Sequence, residues 1–224
     1  MVAAIKGSFG QGIMPSFPEE VVGHPPEKPN VYSDGGLKNP AHQRWAIGGY
    51  GIWWPGQVDD DDFRGQVVHT QCLHREVIPQ GIGMWNMMEG QRGSSTRMEI
   101  AGFIMGLTRN LPLTFGIDSA STLAKANYLR EQASKWAADP TACWWPKRNP
   151  CGRPCGLQAD GDLWEVVWDA MHTRGPDTAA ALKVKGHATI AQVLEGKVLE
   201  EDKEGNDWAD LYATKGIQIG RAHV

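Results

Sequence analysis

The chain has 224 residues, 41% of them hydrophobic, and its 22 Lys+Arg against 26 Asp+Glu leave a net charge of −4. That length is about one domain and a half by size, enough to bury a substantial core, and the acidic balance argues against a protein that holds nucleic acid by overall basic charge. No apolar run approaches a membrane span, no basic start with an apolar core marks a signal peptide, and four unevenly spaced cysteines (Cys72, Cys143, Cys151 and Cys155) do not make a secreted disulfide framework. A soluble, intracellular monomer is expected, with no membrane partner.

Residues 1–29 hold Gly, Pro and acidic residues without periodicity and end in HPPEKPN, which reads as a flexible tail or linker. From Val31 the pattern turns to strands: VYSDGG (31–36), then RWAIGGYGIWW (44–54), apolar and aromatic with glycines where strands bend or pack closely. VDDDDFRG (58–65) is a polar turn, and QVVHTQCLHREVI (66–78) alternates well enough to continue the meander. STRMEIAGFIMGLTRN (95–110) predicts an amphipathic helix with apolar positions 98, 100, 103, 104 and 107.

LPLTFGID (111–118) is a short strand ending in an acid. SASTLAKANYLREQASKWAA (119–138) is a second helix capped by Ser119 or Ser121. Residues 139–160 break the pattern with Pro, Gly, Trp, Lys and Arg and read as an insertion without a helical stripe. GDLWEVVWDAMHTRG (161–175) is a third helix, AALKVKGH (180–187) a final strand, 188–205 a partly helical connection and NDWADLYATKG (206–216) a closing helix. Strands and helices in this order predict an α/β chain, a mixed sheet with helices on its faces, over residues 30–216. Residues 217–224 read as a C-terminal tail, and the final IGRAHV coincides with one translated frame of a common sequencing-library adapter, so the native end is expected to lie elsewhere.

The acids carry the chemistry. Asp34 ends the first strand, Glu99 lies in the first turns of a helix, Asp118 ends a later strand and Asp210 sits in the closing helix. In an α/β sheet, strand ends at one edge converge with the helices that follow them, so acids on four elements can meet. Uncompensated, they would repel one another, and the arrangement makes sense with divalent metal. Hard oxygen ligands suit Mg²⁺, with Mn²⁺ as a substitute, and paired ions roughly 4 Å apart can drive phosphodiester cleavage. Each acid alone has a plainer reading, as turn residue, helix cap or surface charge. The ordered set is the signal.

From Val31 to about Lys215 the chain resembles the type 1 ribonuclease H family, in YSDGG with GGYGIWW after it, TRMEIAGFIMGL, GIDSAS, VKGHA and GNDWADLYA, all in the family's order. The resemblance implies an RNase H-like fold, a five-stranded mixed sheet of three antiparallel strands followed by parallel ones, with helices on both faces. It also implies sequence-nonspecific hydrolysis of the RNA strand of RNA/DNA hybrids by two Mg²⁺ ions. By the same resemblance Asp34 touches both metals, Glu99 and Asp118 group around the metal on the leaving-group side, and Asp210 serves the side of the attacking water. His187 assists proton movement or product release.

Hybrid recognition is expected to rest on shape and 2′-hydroxyls. Gly35 and Gly36 are expected to let the hybrid backbone approach closely; Asn39, Ser95, Thr96 and Arg97 are further candidate contacts. Trp144, Trp145, Lys147, Arg148 and Arg153 read either as a grip on the DNA strand or, for the tryptophans, as a loop covering the second helix. The spacing of Cys143, Cys151 and Cys155 is not a standard zinc pattern, and reduced thiols are expected. Ser95 and Thr96 stand where relatives often carry amides, and the His187–Asn206 connection is longer than in compact bacterial members. A retroelement polyprotein domain and a non-cleaving scaffold are the alternatives. The position of Glu99 before the second Asp argues against a transposase, which takes its glutamate from a late helix.

Overall fold

A computed structural model describes residues 16–41, 46–59, 74–88, 94–139 and 157–222. Six strands form one sheet: β1 (Val31–Lys38), β2 (Ile47–Pro55), β3 (His74–Ile78), β4 (Gly81–Met88), β5 (Leu113–Ile117) and β6 (Ala179–Lys183), in the spatial order β3-β4-β2-β1-β5-β6. The pairs β3–β4, β4–β2 and β2–β1 are antiparallel, whereas β1–β5 and β5–β6 are parallel. The helices are α1 (Ser95–Gly106), α2 (Ala120–Ala138), α3 (Gly161–Arg174), α4 (Ile190–Leu194) and α5 (Glu200–Ala222).

The α/β class and mixed sheet match the sequence reading, but there are six strands where five were expected. The neighbour of β2 is GIGMWNMM, whose glycines, methionines and asparagine hide a strand from propensity. Tertiary packing imposes it: a Cβ at Gly83 would overlap the Tyr212 ring. HREVI then folds back as an added edge strand across the turn at Pro79 and Gln80.

The pleat of β2 sorts its residues to two faces. Tyr50, Ile52 and Trp54 join the larger core with α1, α2 and α3, while Trp53 joins Tyr32, Val184, Ala209 and Tyr212 beneath α5. On the α5 side Gly49 and Gly51 leave room for helix backbone, since a Cβ at either would overlap backbone atoms of α5. Trp53, Trp208, Tyr212 and Trp85 stack with centroid separations of 5.1–6.1 Å along that face. The helix α5 runs through residues 217–222, which the sequence had assigned to a tail; Ile217 packs over Gly36 and Gly49, and that contact extends the helix.

α1 is not the amphipathic helix expected. Every residue from Met98 to Gly106 is buried, because α1 lies between the sheet and α3. Its small residues allow this, with Gly102 close to the Asp34 and Gly51 carbonyls and Gly106 against Phe115. Ser94 caps α1 by accepting from the Arg97 amide, and Ser119 caps α2 by accepting from Thr122.

Of the stretch read as a tail, residues 16–29 form no helix or strand but are laid on the domain, with Asn30 at the junction. Asn30 clamps β5, its Oδ1 accepting from the Thr114 amide at 2.8 Å and its Nδ2 donating to the Pro112 carbonyl at 3.0 Å, while the Val21 amide donates to the Arg174 carbonyl. Arg174 itself is fully buried and donates to the carbonyls of Leu107, Arg109 and Leu111 and to the Thr178 hydroxyl, tying the end of α1 to α3. Burial lowers its guanidinium to about 10.

Candidate metal centre

Asp34 follows three fully buried residues on β1, and its register partner on β2 is Gly51. Its Oδ1 accepts from the Gly35 amide at 2.7 Å. Glu99 arrives from α1, which can lie this close only because residue 35 has no side chain: a Cβ there would overlap the Glu99 amide nitrogen and the Met98 carbonyl carbon. Asp118 follows the last residue of β5 and precedes Ser119, the cap of α2, so strand end and helix start together fix its direction. One carboxylate oxygen from each of Asp34, Glu99 and Asp118 lies within 4.8 Å of the others.

Asp34 and Glu99 are only 7% and 8% exposed. Burial, then the Asp118 charge, pushes the Asp34 carboxyl up to about 6. Burial, then the Asp34 and Asp118 charges, pushes Glu99 up to about 10. The two act as a coupled pair that keeps one proton between them at neutral pH when no cation is bound. Glu99 Oε2 is fully buried and has no hydrogen-bond partner among the described residues. A buried carboxylate oxygen without a donor costs on the order of 1–3 kcal/mol, and a cation is the ligand that would satisfy it. A hard divalent ion fits this donor set of carboxylate oxygens.

The fourth acid stands further out. Asp210 is half-buried on α5, and its charge also raises Asp34, but it lies outside the 4.8 Å cluster. The close approach of α5 over Gly49 and Gly51 is what brings it near β1. His187 is exposed, with a left-handed φ of 48°. Its neighbour Gly186 presses on the site, since a Cβ there would overlap Asp118 Oδ2. The VKGHA turn and Asp118 are therefore in direct contact, with Lys183 Nζ donating to the Asp118 carbonyl.

Other candidates meet different fates. Gly35 and Gly36 have an internal reason: their Cβ directions are filled by α1 and by Ile217 rather than opening to a ligand. Arg97, expected to reach nucleic acid, is engaged internally, donating twice to Asp162 at 2.8 and 2.5 Å and pairing with Asp160 at 3.4 Å. Ser95 is exposed at the start of α1, Thr96 is half-buried beside it, and Asn39 is exposed with a left-handed φ of 56° just past β1. Trp144, Trp145, Lys147, Arg148 and Arg153, with all four cysteines, lie outside the described residues.

Sequence reasoning missed Lys183, the packing role of Gly186 and the Arg97 ion pair. The D-G-D at 160–162 was the available signal for the last, since acids at a helix start invite a cation. Among the described residues no helix is long and apolar enough to cross a membrane. No protein-family model matches the chain, and no curated protein matches it in sequence.

Proposed function

We propose that the protein is a metal-dependent ribonuclease H that hydrolyses the RNA strand of RNA/DNA hybrids without sequence preference. The observation that carries this reading is the acid pocket: Asp34, Glu99 and Asp118 gathered within 4.8 Å, with a buried Glu99 oxygen lacking any partner among the described residues. The motifs that resemble the family occupy the elements the chemistry needs, a strand for Asp34, a helix for Glu99, a strand end for Asp118 and the last helix for Asp210. An RNase H-like fold goes with this reading, β3 being an addition at the edge of an otherwise five-stranded arrangement.

Asp34, Glu99 and Asp118 would hold Mg²⁺, and Asp210 would complete the ligand set from α5. Bound metal would supply charge neutralisation at the phosphate and a more acidic water. The burial of Asp34 and Glu99 keeps competing water off their oxygens and fixes where a cation can sit. Gly186 lies against the Asp118 carboxylate, where a Cβ would overlap Oδ2. His187 follows Gly186 in the turn that touches Asp118 and would serve as the proton carrier at the edge of the site.

The test is cleavage of labelled RNA/DNA, RNA/RNA and DNA/DNA duplexes with Mg²⁺, Mn²⁺ or EDTA, by wild type and by Asp34→Asn. Metal-dependent cutting confined to the RNA of the hybrid, and lost in the variant, is the expected result. Binding without cutting in either metal would move the chain to a scaffold role and refute the nuclease.

A further inference from the structure

Beside the acid pocket lies an open cleft of about 340 Å³ lined by Lys183, Val184, Lys185, Gly186, Lys197, Val198, Leu199 and Asp202. Three lysines and one carboxylate line it. The outer edge is built by Lys197, Val198 and Leu199, in the His187–Asn206 connection that reads as longer than in compact bacterial members of the family it resembles. Lys183 is anchored on the Asp118 carbonyl, Lys197 pairs with Glu195 at 2.7 Å, and Lys185 has no hydrogen-bond or ion-pair partner among the described residues. Asp202 is occupied, accepting from the Tyr32 hydroxyl at 3.1 Å. The neighbouring acid Glu201 turns away to pair with Lys28 and lines a different cleft.

We infer that this cleft is a phosphodiester-backbone site, contacting the phosphates that flank the bond being cut. It rests on the nuclease reading for the identity of the strand. Contiguity carries the inference. Gly186 lines the cleft and also touches the Asp118 carboxylate, and Lys183 belongs to both the cleft wall and the Asp118 main chain. A strand crossing the acids leaves them through this trough. Its lining matches a backbone and not a base: lysines suit phosphates, Val198 and Leu199 suit sugar faces, and no aromatic ring lines it for stacking. Net-acidic composition is no obstacle, because a local cluster of cations acts within a Debye length of about 10 Å.

The experiment uses the full chain with Asp34→Asn to prevent turnover and follows the anisotropy of a labelled RNA/DNA hybrid and of a labelled single-stranded DNA across salt concentrations. Lys185→Gln with Lys197→Gln should weaken binding of either probe and lower the log–log salt slope by about 0.7–0.9 per lysine removed. Lys135→Gln, on the far surface of α2, should not change the slope. An unchanged slope in the double variant, with the hybrid still bound, overturns the cleft and leaves the nuclease untouched. If wild type fails to cut the hybrid but the double variant still lowers the slope on single-stranded DNA, the nuclease falls and the backbone site stands. Protection of the cleft amides by inorganic phosphate, with neither nucleic acid bound, would make it a free-anion site and overturn the inference.

Discussion

Two clusters of like charge meet at Asp118, and they obey different physics. On one side are three carboxylates, two of them buried; on the other are three lysines around an open cleft. Charges 4 Å apart interact by about 1 kcal/mol in water but about 4 kcal/mol at an effective dielectric of about 20. The buried acids therefore cannot stay ionised together without a proton or a cation, whereas the lysines need only solvent and salt. A buried cluster demands a partner; an exposed one permits one. That is why the acids carry the functional assignment and the lysines carry meaning only through their contact with Asp118.

The largest effect expected on this contrast is at Asp34. Asp34→Asn should lower hybrid cleavage by roughly 10³-fold or more, since metal charge stabilisation is worth several kcal/mol and each 1.36 kcal/mol is tenfold. Single-turnover cleavage against Mg²⁺ concentration measures it, and a wild-type rate in the variant would remove the acids from the mechanism.

Next is pH. Both buried carboxyls bind their proton more tightly folded than unfolded, Asp34 at about 6 against 3.8 and Glu99 at about 10 against 4.5. Their stabilising contribution is full below the unfolded values and is lost as pH rises through the folded ones. Metal-free protein should therefore lose stability between about pH 4 and pH 10, by a few kcal/mol on the order of the linkage relation. Glu99→Gln should flatten that loss, and Mg²⁺ should raise Tm more at pH 8 than at pH 5. Thermal melts with EDTA or Mg²⁺ decide it; a flat profile would mean that the acids are not coupled.

Arg97→Ala should cost about 1.5–3 kcal/mol, the range for hydrogen bonds to charged groups, because it leaves Asp162 without its bidentate donor. Its salt slope for nucleic acid should stay that of wild type. A fall in slope without loss of Tm would return Arg97 to the surface as a phosphate contact.

The smallest effect sits at the boundary of the two clusters. Gly186→Ala would push the Asp118 carboxylate aside, a flexible group, so stability should change by less than about 1 kcal/mol. Mg²⁺ affinity should nevertheless fall roughly tenfold, as for groups that orient a metal ligand. Calorimetric titration of Mg²⁺ would separate the two.

The sequence by itself determined the α/β class, the elements bearing Asp34, Glu99 and Asp118, and the cap of α2 at Ser119 or Ser121, because hydrophobic period and capping chemistry are local properties. It did not reveal β4, whose glycines make sense only under Tyr212, nor the length of α5, which depends on Ile217 finding Gly36 and Gly49. The acids could be listed from the chain and a shared site expected for them, but how close each comes to the others could not be read from it. Asp34, Glu99 and Asp118 meet because Gly35 lets α1 touch β1, while Asp210 stays outside the closest group on a helix docked across β2. The same holds for Arg97, whose charge reads as a contact for nucleic acid until the fold sets Asp160 and Asp162 beside it. Distance between residues far apart in the chain is decided by packing, and packing here turns on where a side chain is missing.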